Sequence, residues 1–338
     1  MSEALLEIRG LTVGFDVPGG RLPAVAGIDL TLGKGEILAL VGESGSGKSA
    51  LSMSLVGLNR GPRTHIGGEV LFGGRNLVTT GEKELREVRG KDIAVVFQDA
   101  LAALNPTQRV GDQVAEMIRT HRKISRGDAS KRAVELLGEV GIANPAQTAR
   151  SYPHQLSGGM RQRVMIAIGL ANDPAVLIAD EPTTALDVTI QAQVLRLLKK
   201  LQTEHGTTIV LITHDLGVVA EVADRVAVMY AGRIIEQGTR DEVLFDPQHP
   251  YTMGLLSSVP RVDGPAVARL PAIAGSPLTG VTRPEGCAFA PRCTFVHDAC
   301  LSPPVLKKRY GGPAHLDACV LDETERARAR GALEEVAP

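Results

Sequence analysis

Apolar and polar residues alternate at the start of the chain. Leu6, Ile8, Leu11 and Val13 carry the apolar positions and predict sheet. Gly19-Gly20 predicts a hairpin turn, and residues 24–32 a second strand. A short apolar run over 36–41 leads into a glycine-rich segment, after which residues 50–58 have helical spacing. Residues 112–140 are polar and amphipathic with no strand pattern, which predicts a helical insertion. Residues 174–179 and 207–213 are apolar or β-branched runs bounded by turn signals, as expected of buried parallel strands. Between them Val194, Leu197, Leu198 and Leu201 recur at helical spacing, giving a strand–helix–strand rhythm and hence an α/β core. Beyond Asp246 the texture changes. Pro247, Pro250, Pro260, Pro265, Pro271, Pro277, Pro284 and Pro291 exclude a long helix or a central strand. A boundary is expected near Leu255, dividing a domain of residues 1–255 from a small extension over 256–322. Residues 323–338 read as a frayed helix or loose tail.

Composition narrows the function classes. The 338 residues suit one large core with an appendage, or two domains. A net charge of −1, 3% aromatic residues and no Trp argue against a nucleic-acid partner. No apolar run reaches the roughly 18 residues that a membrane span needs. Met1-Ser2-Glu3-Ala4 lacks the basic and apolar regions of a secretory signal. The chain is therefore expected in the cytosol, with any membrane role exercised through partners. Cys287, Cys293, Cys300 and Cys319 all fall in the last quarter of the chain, where a reducing compartment favours metal ligation over disulfides.

Three motifs carry chemistry. Gly42-Glu43-Ser44-Gly45-Ser46-Gly47-Lys48-Ser49 fits the phosphate-loop pattern between a predicted strand and helix. Its glycines let backbone N–H groups converge on phosphates. Lys48 is expected to reach the β and γ phosphates and Ser49 to ligate Mg²⁺, with Ala50 opening the helix beyond. The apolar run 176–179 ends in Asp180 and Glu181, suited respectively to Mg²⁺ contact and to polarising an attacking water. Leu156-Ser157-Gly158-Gly159 opens an apolar helix and presents N–H groups and a hydroxyl to an anion.

Together these motifs resemble those of the ATP-binding cassette (ABC) family. That resemblance implies a P-loop NTPase fold: a RecA-like core, an antiparallel β subdomain and a helical subdomain over about 99–165. It further implies that two cassettes pair head to tail, the Ser157-Gly158-Gly159 signature of one covering the γ-phosphate held by the other. Gln98 looks like the glutamine-loop residue that senses Mg²⁺ and water. Ala185-Leu186-Asp187 looks like the loop crossing the dimer, with Asp187 near the nucleotide. His214 looks like the switch histidine, and Phe15 like the aromatic stacking on adenine.

Further stretches resemble the ATPases of dipeptide and oligopeptide importers. These are Phe97-Gln98-Asp99, Leu104-Asn105-Pro106, Tyr152-Pro153-His154-Gln155 and, above all, His249-Pro250-Tyr251-Thr252 followed by the cysteine-bearing extension. Ser46 and Ala50-Leu51 look like the D-type of the two related subunits. The resemblance implies a heterodimer with an F-type ATPase under two transmembrane permease subunits, on the cytoplasmic face of the membrane, fed by an extracellular peptide-binding protein. A nickel or other small-solute importer is the alternative, and a soluble non-transport cassette a further one. No residue of the chain reads the cargo. In part of this family the equivalent cysteines hold a [4Fe-4S] cluster. Zinc, with His297 or His315 replacing a cysteine, and unligated thiols are the other readings, and a structural rather than redox role is expected.

Overall fold

The computed structural model describes residues 4–184, 186–259, 273–278, 280–312 and 314–336, with side chains to 331. Ala185 of the expected dimer-crossing loop, and Pro260, Pro265 and Pro271 of the extension, lie outside the described residues, as do Met1-Ser2-Glu3. The chain divides into two compact units, each assembled from separate stretches of sequence.

One unit comprises Met1–Leu6, Leu32–Ile37 and Leu71–Ile212. It contains parallel pairing of Ile93–Val96 with Val176–Asp180, and of Val176–Asp180 with Thr208–Thr213, in registers Ile93↔Val176 and Asp180↔Ile212. Every residue from Val176 to Asp180 is buried, which explains an apolar run with no alternation. The insertion expected over 112–140 forms two helices, Val110–His121 and Arg126–Glu139. Ser125 breaks them by capping the second through its side chain, which accepts from Asp128 N. The signature helix spans Gly158–Leu170, and Val188–His205 buries Val194, Leu195, Leu197, Leu198 and Leu201.

The other unit comprises Glu7–Thr31, Leu38–Val70 and Thr213–Pro338. Ala4–Val17 lies between Gly20–Gly33 and Thr64–Phe72 in one sheet. Ile37–Val41 pairs in parallel with Arg225–Tyr230, which pairs antiparallel with Arg233–Thr239. The helix expected over 50–58 is Lys48–Leu55, starting at once after the loop. The helix at the expected boundary, Pro250–Ser257, continues two residues past Leu255.

The extension is built into this unit's core. Its two-residue strand Leu316–Asp317 adds to the edge of Arg233–Thr239. Phe289 meets Tyr230 and Tyr251 with ring centroids 5.4 Å apart in each pair, and Tyr230 and Tyr251 themselves lie 4.7 Å apart. Each such pair adds about 0.5–1.5 kcal/mol beyond simple burial.

Of the two readings of the last segment, a frayed helix or a loose tail, the structure has the helix. Glu323–Val336 is a helix, and Arg326 is fully buried. Its guanidinium donates to Asp317 Oδ1 at 2.9 Å and to the carbonyls of Gln248, Leu321 and Cys319. Arg326 is therefore a hub that ties this helix to the strand edge.

Candidate functional site

The phosphate loop leaves the fully buried strand Ile37–Val41 and enters the helix at Lys48. Gly42 and Gly47 have φ of 152° and 106°. A Cβ at either would lie 2.2 Å from a backbone oxygen, that of Met229 or Ala24. Both positions therefore need glycine for space as well as conformation. Lys48 is buried, and its Nζ donates to the carbonyls of Gly42 at 2.7 Å and Glu43 at 3.0 Å. The loop thus curls around an ammonium group, while Ser44, Gly45 and Ser49 face solvent. The backbone is tied down from outside: Gly232 N donates to Ser46 O at 2.8 Å. Glu43 N donates to Tyr251 Oη at 2.9 Å.

In the same unit Phe15 is half-buried on its strand. His214 is exposed at the end of Thr208–Thr213, and the adjacent Asp215 caps Leu216–Val222 by accepting from Gly217 N and Val218 N.

In the other unit, Asp180 is buried at the strand end. Glu181 follows with φ of 47°, a left-handed conformation costing a non-glycine residue about 1–2 kcal/mol. Its N–H donates to Ile212 O at 2.9 Å, which fixes the turn. Its Oε2 accepts from Gln98 Nε2 at 2.9 Å and from Thr184 Oγ1 at 2.8 Å. Thr184 was not singled out by sequence. Its only signal is its place three residues after the carboxylate.

The signature also has a defined geometry. Ser157 caps its helix, accepting from Met160 N at 3.3 Å, and leaves Ser157 and Gly158 exposed. Gly159 is buried, and a Cβ there would lie 2.6 Å from Ile190 Cγ2. The glycine is required by the close approach of Val188–His205, whose cap is Asp187, accepting from Ile190 N at 3.0 Å.

All four cysteines are free and line one small pocket, together with residues such as Phe295 and Pro304. Cys287 N donates to Cys300 O at 2.8 Å. Burial pushes the Cys287 thiol up, that of Cys293 to about 11 and that of Cys319 to about 12. As bare groups these three are neutral thiols at physiological pH. Among the described residues no group of three or more His, Cys, Asp or Glu could hold a metal ion. His315, a possible zinc ligand by sequence, is fully buried with its Nε2 2.7 Å from Glu236 Oε1. Among the described residues no helix is long and apolar enough to cross a membrane.

A family model described as "ABC transporter" matches residues 25–184, and one described as "Oligopeptide/dipeptide transporter, C-terminal region" matches 235–300. The chain is 53% identical to the oligopeptide transport ATP-binding protein OppD of Bacillus subtilis, over 86% of this chain and 82% of that one. It is 51% identical to the dipeptide transport ATP-binding protein DppD of Lactococcus lactis, over 87% and 84%. Among solved structures, the ADP- and Pi-bound dimer of the ATP-binding cassette MJ0796 superposes with a TM-score of 0.63 at 30% identity. That match covers 70% of this chain and 98% of that one.

Proposed function

The chain belongs to the ABC transporter ATPases that carry an oligopeptide/dipeptide transporter C-terminal region, and from that premise we propose that it powers import of di- and oligopeptides. It is an ATP hydrolase of that family. The observation that carries the peptide reading is the match of residues 235–300, the region that packs Phe289 against Tyr230 and Tyr251.

In this reading the loop 42–49 holds the phosphates through its amides and Lys48, and Ser49 and Asp180 hold Mg²⁺. Gln98 and Thr184 orient Glu181, whose other oxygen takes the proton of the attacking water. His214 contacts the γ-phosphate, and Phe15 stacks on adenine. The reaction consumes ATP and water and yields ADP and phosphate, with positioning and charge neutralisation as the main catalytic contributions. Ser157, Gly158 and Asp187 are exposed, which supports their use across an interface with a second cassette. The partners in this reading are an F-type ATPase, two permease subunits and an extracellular binding protein, with the chain on the cytoplasmic face. The domain organisation is a cassette to about residue 255, an extension over 256–322 and a terminal helix.

The cysteines are read as ligands of a [4Fe-4S] cluster that staples the extension. Four thiols around one cavity support this. Iron would supply the positive charge that turns these buried thiols into thiolates.

Uptake of a labelled dipeptide into proteoliposomes, reconstituted with the chain and its permease partners, tests the transport reading. ATP-dependent accumulation is expected. Accumulation of nickel instead of peptide would replace the substrate class.

A further inference from the structure

Glu43 is an anomaly in a loop built to receive polyanions. It places a carboxylate within the phosphate loop, and its own carbonyl accepts from Lys48 Nζ, so it belongs to the same turn as the phosphate-binding ammonium. The charge is answered from 249 residues away. Arg292 Nη1 donates to Glu43 Oε2 at 2.6 Å and Nη2 to Oε1 at 3.0 Å, a paired fork onto both oxygens. The Arg292 side chain is only 4% exposed, against 25% for Glu43. Nε donates to the carbonyl of Ala274 at 2.8 Å and Nη2 also to that of Ile273 at 3.3 Å, and Cζ lies 5.9 Å from the ring centroids of both Tyr230 and Phe289. The arginine is therefore locked in one place by the C-terminal region. Tyr251 holds the backbone of the same glutamate.

We propose that Arg292 is a positioning residue of the nucleotide site, neutralising Glu43 and holding its carboxylate so that the loop amides and Lys48 meet the phosphates without a competing negative charge. The inference rests on the reading of 42–49 as the ATP loop. It makes the C-terminal region part of the nucleotide site. Removing the arginine leaves a partly buried, uncompensated carboxylate beside an anion site, whereas neutralising both partners leaves no charge to compensate.

The test is calorimetric titration of the purified full chain with Mg-ATP and Mg-ADP. Arg292→Gln is expected to weaken Mg-ATP about tenfold and Mg-ADP less, because the repulsion grows with ligand charge. Glu43→Gln alone is expected to tighten Mg-ATP about two- to threefold. The double variant should return to within about threefold of wild type, a rescue that a merely structural arginine would not show. Wild-type affinity in Arg292→Gln, equal losses for both nucleotides, or a double variant as weak as Arg292→Gln would each overturn the proposal. If Arg292→Gln does not fold, Arg292→Lys takes its place, since lysine cannot form the paired fork. It should lose about two- to fivefold and recover with Glu43→Gln; no loss or no recovery overturns the proposal. Lys48→Ala separates the two readings. If it binds Mg-ATP as well as wild type, the loop assignment fails; if it does not, an absent Arg292 effect removes Arg292 alone.

Discussion

Gln98 and Glu181 are 83 residues apart in sequence and are joined by one hydrogen bond, Nε2 to Oε2, of 2.9 Å. Thr184 donates to the same oxygen. One carboxylate oxygen is thus fully engaged by neighbours of its own unit, and the carboxylate cannot rotate without breaking two bonds. A general base must be held in this way to act on a water at a fixed place.

Glu181→Gln should keep Mg-ATP affinity within about threefold and lower the turnover number by at least about 100-fold, the usual weight of a general base. The amide retains the backbone and steric features of the turn. Single-turnover phosphate release measures it, and turnover near wild type would remove Glu181 from the role of base.

Thr184→Val removes one of the two bonds that orient Glu181 while keeping the side-chain volume. Turnover should fall about 3- to 10-fold with little change in the Michaelis constant for ATP, the pattern of a group that acts in the transition state. A raised Michaelis constant with unchanged turnover would point to binding instead.

Gly159→Ala drives a methyl into Ile190 at 2.6 Å. Overpacking of this kind costs about 1–3 kcal/mol, and denaturant melts should show it. Ile190→Ala in the same chain opens the space and should recover most of the loss. If stability is not recovered, the constraint at Gly159 lies elsewhere.

His249 contributes to the loss of stability on the acid side. Burial lowers it to about 3, with the nearby charges of Arg326 and Arg309 adding to the effect. Its Nδ1 accepts from Tyr251 N at 3.0 Å, so the ring is neutral. The unfolded chain takes up this proton near pH 6.5 and the folded chain does not. Stability therefore falls as pH drops from about 6.5 toward 3, by up to about 1.4 kcal/mol per pH unit. His315 acts in the opposite sense. Burial alone would lower it, but the hydrogen bond and charge of Glu236 more than offset this and hold it above its ordinary value. Its contribution is complete below about pH 6.5 and is lost as pH rises through the raised value. Denaturant melts from pH 5 to 8 should show an optimum between these limits. His249→Asn should flatten the acid side, and an unchanged acid slope would contradict the assignment.

Anaerobic purification followed by iron and sulfide analysis decides the occupant of the cysteine cavity. Four irons and four sulfides per chain are expected, and Cys300→Ser should lose them together with a drop in melting temperature. Stoichiometric zinc without sulfide would exclude the cluster.

The parts legible in the sequence were those where local chemistry and spacing coincide. The loop from Gly42 to Ser49 needs glycines at fixed positions, and Asp180 and Glu181 end an apolar run. Neither depends on distant residues for recognition. The strands Thr64–Phe72, Ile93–Val96, Arg225–Tyr230 and Arg233–Thr239 gave weaker signals. Arg225–Tyr230 is almost wholly buried and Thr64–Phe72 is mostly half-buried, so neither alternates cleanly. The roles of Arg292 and Arg326 were beyond reach for a different reason. An arginine in a proline-rich or charged segment reads as surface. Only the fold shows that Arg292 meets Glu43 and that Arg326 meets Asp317.

In the proposed function this chain carries half of each of two composite ATP sites and turns over at full rate only when a second cassette completes them. The direct test is steady-state phosphate release at saturating Mg-ATP, measured on the isolated chain and on the importer assembled with its second ATPase and permease subunits. ATP binding is expected in both, with hydrolysis at least about tenfold faster per site in the assembly and loss of that gain with Glu181→Gln. Equal rates for the isolated chain and the assembly would contradict it.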